Sequence, residues 1–115
     1  MPNNTSPDIR ALDRGFHALA DATRRGVIAR LAQGEASVAD LAAPYDMALP
    51  SFLQHVRVLE DAGLISTVKT GRVRICRLEA QRLAALDQWI ARYEAAWNAR
   101  LDRLGQILES KGDTQ

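Results

Sequence analysis

Gln54 and Arg57 stand one helical turn apart in the stretch Leu49-Pro50-Ser51-Phe52-Leu53-Gln54-His55-Val56-Arg57-Val58-Leu59, and a cationic run, Lys69-Thr70-Gly71-Arg72-Val73-Arg74, follows. These residue types suit nucleic acid. An amide side chain can pair with an adenine edge, and a guanidinium can bind guanine or phosphate. The competing reading is that both are ordinary solvated polar residues. Leu49 and Leu53 suit thymine methyl groups or core packing equally well. Ser51 either donates to a phosphate or faces solvent, and Pro50 shares the side of Gln54 and Arg57. His55 falls toward the core side, where packing or a phosphate contact fits it better than metal ligation.

Catalysis has no comparable support. There is no nucleophile-base-acid set, no glycine loop that would cradle a phosphate, and no carboxylate pair with an obvious role in a cleft. Metal binding needs several nitrogen, sulfur or oxygen donors converging on one ion. With one cysteine and two histidines far apart in the chain, no such set is visible, and no metal or cofactor is expected. Cys76 has two readings. Free cysteine is commonly a small buried hydrophobe, but Arg74 and Arg77 beside it would lower the pKa of an exposed thiol and make it a redox sensor.

A lone cysteine forms no intramolecular disulfide, which points to a reducing compartment. The first six residues lack the basic and apolar blocks of a signal peptide, and no apolar run is long enough to cross a membrane. The cytoplasm is the expected location, with no membrane partner. The chain has 115 residues, 47% apolar and 25% charged, the balance of one soluble domain. Net charge is only +1, but it is unevenly spread. Residues 48–78 hold five basic side chains (Arg57, Lys69, Arg72, Arg74, Arg77) against Glu60 and Asp61, whereas 1–47 and 79–115 each hold five against six. The positive charge lies where the candidate DNA-reading residues lie.

The elements that would position these residues follow from periodicity and punctuation. Ser6-Pro7 reads as a cap and first helical residue, and Ile9, Leu12, Phe16 and Leu19 give the first helix one apolar face. Asp21 caps a second helix over residues 22–33, which Gly34 ends in a left-handed cap. Ser37 caps a short third helix and is counted with the DNA-facing residues. The fourth helix spans Leu49–Asp61, with Phe52, Val56 and Leu59 inward. Its cap position, Ala48, has no side-chain acceptor, which weakens the start by about 1 kcal/mol relative to serine. Gly63 ends it. Ile65–Thr70 and Val73–Leu78 form a hairpin around Gly71-Arg72. The expected fold is mostly α with a small β-hairpin: a helix-turn-helix followed by a wing over about 66–77, in a single domain over 1–115 with loose tails at 1–7 and 111–115.

Residues 80–110 form one long amphipathic helix. Leu83, Leu86, Ile90, Tyr93, Trp97, Leu101, Leu104 and Leu108 step by three and four along one side. One small head cannot cover that stripe, so pairing with a second copy is expected. Leu12 and Phe16 of the first helix join Ile90, Tyr93, Trp97, Leu101, Leu104 and Leu108 as candidate dimer residues. The two tryptophans read as core or interface residues.

Three blocks in this order carry a resemblance: Leu19-Ala20-Asp21-Ala22-Thr23-Arg24-Arg25, Ser37-Val38-Ala39-Asp40-Leu41, and His55-Val56-Arg57-Val58-Leu59-Glu60-Asp61-Ala62-Gly63-Leu64-Ile65. With the wing Gly71-Arg72-Val73-Arg74, the chain resembles the ArsR/SmtB family of winged-helix repressors from about Ile9 to Leu108. The resemblance implies a homodimer that binds a pseudo-palindromic operator in double-stranded DNA, with the fourth helix in the major groove and the wing on backbone or minor groove. Arsenic and cadmium sensors of that family carry paired cysteines where this chain has Val38-Ala39-Asp40. Its zinc sensors carry Asp and His pairs on the last helix, which here has no histidine. The usual metal ligands are therefore missing, and the signal, small-molecule or redox, is left open. The alternative from another class is a winged-helix protein-interaction module without DNA binding.

Overall fold

The computed structural model describes the backbone of residues 7–112 and the side chains of residues 9–110. The elements run α1 (Pro7–Leu19), α2 (Ala22–Leu31), β1 (Ala36–Ser37), α3 (Val38–Ala42), α4 (Leu49–Asp61), β2 (Ile65–Thr70), β3 (Val73–Leu78) and α5 (Ala80–Gly112). The expected cap at Ser6 lies outside the described residues. The helix-turn-helix is α3 and α4, and the wing is β2–β3. No helix is long and apolar enough to cross a membrane among the described residues.

The sheet has one more strand than the expected hairpin. Its order is β1-β3-β2, all antiparallel, with Ala36 opposite Cys76 and Ser37 opposite Ile75. A two-residue strand has no periodicity to read. Ser37 both ends this strand and caps α3, its hydroxyl accepting the Asp40 N–H at 3.1 Å. The second helix stops at Leu31, short of the expected Gln33, and Gly34 has φ +142° in the connection beyond it, not the left-handed cap that was expected.

The core forms where the inner sides of α2, α3 and α4 meet the sheet. Phe52, Leu59 and Cys76 are fully buried, with Val27, Leu41, Val56 and Leu64 around them. Gly15 lets α1 approach α5, because a Cβ there would lie 2.7 Å from a methyl of Leu86. Beyond Leu86 the long helix leaves the head. At 1.5 Å per residue its 33 residues extend about 50 Å, which accounts for the molecule's 74 Å longest dimension.

Two local devices fix the orientation of α4. At its middle, Arg24 of α2 donates to the α1 carbonyls of Ala18 (Nε, 2.7 Å) and His17 (Nη2, 3.2 Å), while its Nη1 lies 3.1 Å from His55 Nδ1 on α4. Arginine only donates, so this contact is a hydrogen bond when the His55 ring carries no proton on Nδ1. One guanidinium thereby joins three helices, at the C-terminal end of α1 where the helix dipole favours a cation. Asp21 Oδ2 caps α2 through the Arg24 N–H at 3.1 Å and stands 3.7 Å from the same His55 nitrogen. At the far end of α4, Gly63 takes φ +76°. Its N–H bonds the Glu60 carbonyl (2.9 Å) and that of Leu64 bonds the Leu59 carbonyl (3.1 Å). This is the double hydrogen bond of a Schellman stop, with Leu59 and Leu64 packed in the core across it.

Gly63→Ala should therefore lower the unfolding free energy by about 1–2 kcal/mol, because a Cβ disfavours the left-handed backbone, and Arg82 Nη1 would lie 3.2 Å away. Urea denaturation at fixed protein concentration measures it. A second expectation concerns acid. The backbone bond from Arg24, aided by the nearby His55 and Arg24 side chains and opposed by partial desolvation, holds Asp21 below the ordinary carboxylate pKa. A lowered folded pKa adds stability above the unfolded value, about 3.9, and that stability is lost as pH falls through the folded value. Asp21→Asn, which keeps an acceptor at the cap, should lose less stability than the wild type between pH 5 and the onset of acid unfolding.

Candidate nucleic-acid interface

Burial of Phe52, Val56 and Leu59 turns the opposite side of α4 to solvent. Pro50, Ser51, Gln54, Arg57 and Asp61 are all exposed. Leu49 and Leu53, which the sequence left between core and surface, are exposed at 54% and 39%. Ala48 provides no side-chain cap, and Pro50 occupies the first turn. The first-turn N–H groups of α4 therefore point outward without a side-chain acceptor, the arrangement that suits an anion.

The wing stands beside α4. Gly71 has φ +65° and Arg72, like every described non-glycine residue, has negative φ. These signs match a tight type II′ turn. Lys69 pairs with Arg74 across the ladder, so two cations share a rung with Arg72 at the tip, and all three are exposed. Val68 and Val73 are also exposed, at 60% and 47%. The wing is tied back to the helix by Thr67, whose hydroxyl donates to Glu60 Oε2 at 2.7 Å.

The charges sort themselves by partner. Arg77 is engaged with Glu35, its Nε and Nη2 each 2.8 Å from Oε1, which fastens β3 to the segment before β1. Arg57, Lys69, Arg72 and Arg74 make no ion pair or hydrogen bond with another side chain among the described residues. The basic cluster seen in sequence thus reduces to four exposed cations without such a partner among the described residues, one on α4 and three on the wing.

Two other expected residues sit differently. Ser37 is half-buried, its hydroxyl committed to α3. His55 is half-buried against Arg24 and Asp21, behind the exposed face of α4. Cys76 is fully buried, and desolvation, reinforced by the Glu60 carboxylate and opposed by Arg74, pushes its thiol pKa up. It is a packed hydrophobe and not the arginine-activated thiol of the alternative reading. Among the described residues, no three His, Cys, Asp or Glu side chains converge to hold a metal.

The apolar stripe of α5 divides. Leu86 is buried and Leu83 half-buried in the head. Phe16 packs its ring edge-on against Trp89 of the same chain, centroids 5.4 Å apart, and Leu12 is half-buried. The remainder has no cover: Ile90, Tyr93, Trp97, Leu101, Leu104 and Leu108 are exposed at 46–61%. Ile107, exposed at 53%, joins them. It follows Leu104 by three residues, one helical step along the same side, although it lies outside the stripe expected from the sequence.

Known proteins share this arrangement. A helix-turn-helix domain family matches residues 19–68, the span from the end of α1 into the wing. The HTH-type transcriptional regulator Rv2034 of Mycobacterium tuberculosis is 36% identical over 104 residues, covering 90% of this chain and 94% of that protein. The crystal structure of an ArsR family transcriptional regulator matches with a TM-score of 0.74 and 48% identity, over 77% of this chain and 92% of its own. A homodimeric winged helix-turn-helix DNA-binding domain from Mycobacterium bovis shares the fold alone, with a TM-score of 0.63 at 21% identity over 88% of this chain and 91% of its own. With the fold, the order of motifs and near full-length similarity in agreement, the chain belongs to the ArsR family of transcriptional regulators.

Proposed function

We propose that the chain is a homodimeric repressor that binds a pseudo-palindromic operator through α4 and the wing. The observation that carries this reading is the surface itself. The cations Arg57, Lys69, Arg72 and Arg74 are exposed on α4 and the wing, without an ion pair among the described residues, and Gln54 is exposed on a helix whose other face is locked in the core. In this reading Gln54 and Arg57 meet base edges, with Leu49 and Leu53 beside them to cover thymine methyls. Pro50 and Ser51, at the uncapped start of α4, lie along the phosphate backbone. Lys69, Arg72 and Arg74 take phosphate or the minor groove. Ser37 and His55 support α3 and α4 from behind. Repression follows from occupancy, because a dimer seated on promoter DNA excludes other proteins from it.

Two copies are required because α5 carries so much uncovered apolar surface. Seven large side chains beyond the head are each about half exposed. Covering them is worth on the order of 5–10 kcal/mol per protomer, comparable with the whole net stability of a domain. Tyr93, Trp97 and Leu101 lie midway along the exposed stretch and act as anchors, with Leu12 and Phe16 at its edge. The homodimeric Mycobacterium bovis domain is consistent with this assembly.

A gel shift with the DNA upstream of the chain's own gene, at two salt concentrations, separates this reading from a protein-interaction module. A specific complex that weakens steeply with salt is expected, and no complex with any genomic fragment would favour the module. In the same assay Arg72→Ala should weaken all sequences alike and flatten the salt dependence, whereas Gln54→Ala should change preference at one or two base pairs, each worth about 1–3 kcal/mol. Replacing Trp97 and Leu101 with glutamate should give a monomer or aggregate in equilibrium sedimentation, while the wild type sediments as a dimer at micromolar concentration. A monomeric wild type would remove the palindromic operator along with the dimer.

A further inference from the structure

We infer that the groove between α1, the C-terminal end of α4 and the start of α5 is a binding site for a small organic anion with an apolar body. The groove has a volume of about 760 Å³, within the range of small-molecule pockets. Four arginines line it, Arg10 and Arg14 from α1 and Arg82 and Arg92 from α5, against one carboxylate, Asp61. None of the four guanidiniums has an ion pair or side-chain hydrogen bond among the described residues. Arg82 lies over Gly63, beside the stop of α4. The floor is apolar, made by Leu12, Ala62, Leu64 and Leu86.

Four like charges around one groove repel one another, and a single carboxylate offsets only part of that. An anion relieves the repulsion and gains the planar two-point hydrogen bonding that guanidinium offers to carboxylate or phosphate. The apolar floor adds a second requirement, because a fully hydrated inorganic ion would leave it uncovered. The ligand class is therefore an aromatic or branched carboxylate or organophosphate of modest size. The site adjoins the proposed dimer surface and shares Leu12 with its edge, while its four arginines are not among the residues assigned to that surface. An occupant would touch the end of α4 and both helices that flank the dimer surface, which makes it a natural effector of the regulator proposed above. The proposal deepens that reading, but its test contains no DNA, so the failure of one is distinguishable from the failure of the other.

The test is calorimetric titration of the full chain with 2-naphthoate, with 2-naphthalenemethanol as the neutral counterpart. The expected result is one naphthoate per chain, bound at least about tenfold more tightly than the alcohol, a difference of about 1.4 kcal/mol. Arg14→Gln with Arg82→Gln should weaken naphthoate binding severalfold, as should Arg92→Gln alone, a change at an exposed helix position. Arg100→Gln, further along α5, should leave it unchanged. Circular dichroism confirms folding of each variant. Equal binding of the alcohol, no binding at millimolar naphthoate, or unaltered binding in both groove variants would overturn the proposal. Equal competition by inorganic phosphate would overturn the organic class of the ligand.

Discussion

The structure depends on the two-sidedness of α4. Phe52 and Leu59 are fully buried and Val56 nearly so. Side chains on a helix repeat every 3.6 residues, so burying positions 52, 56 and 59 forces 50, 54, 57 and 61 outward. A rotation of α4 by one residue would desolvate Arg57 and expose Phe52, costing several kcal/mol on each count. The face offered to a partner is therefore decided by what the opposite face buries, and the clamp of Arg24 on His55 holds the helix at its middle while the Schellman stop at Gly63 holds its C-terminal end.

From that helix the rest of the molecule follows in both directions. The stop at Gly63 releases the chain straight into β2, so the distance between α4 and the wing is short and nearly fixed, and the Thr67 to Glu60 hydrogen bond closes it. On the other side, Leu86 packed against Gly15 joins α5 to α1, and α1 is joined to α4 through Arg24. The surface that would meet DNA and the helix that would meet a second copy thus belong to one connected frame. Heads rigidly carried by a two-fold pair of such frames would present two α4 helices at a set spacing, which is what a palindromic site reads.

Much of this was legible in the sequence because the signals were local. Leu49–Asp61 lies between a proline near its start and a glycine beyond its end, and its apolar spacing leaves one inward face. The two wing strands are rich in branched residues around Gly71-Arg72. What stayed hidden depended on distance in sequence or on brevity. β1 is two residues long and fills part of the edge of β3 that β2 leaves free, at Ile75 and Cys76. The Arg24 contact with His55 spans 31 residues, and nothing in either local segment announces it. Arg77 belongs to the basic cluster by sequence position, but Glu35, 42 residues away, neutralises it. The four arginines of the groove come from two helices at opposite ends of the chain, so their convergence is a property of packing and not of any motif.

The central claim is that the exposed side of α4 and the wing together form the DNA-binding surface. The most direct test is an amide NMR titration of the isotopically labelled protein with a duplex from its own upstream region. The account predicts that the largest shifts fall on Ser51, Gln54, Arg57, Lys69, Arg72 and Arg74, with little change at Trp97 or Leu101. Shifts concentrated on α5, with α4 and the wing silent while the duplex is bound, would contradict it.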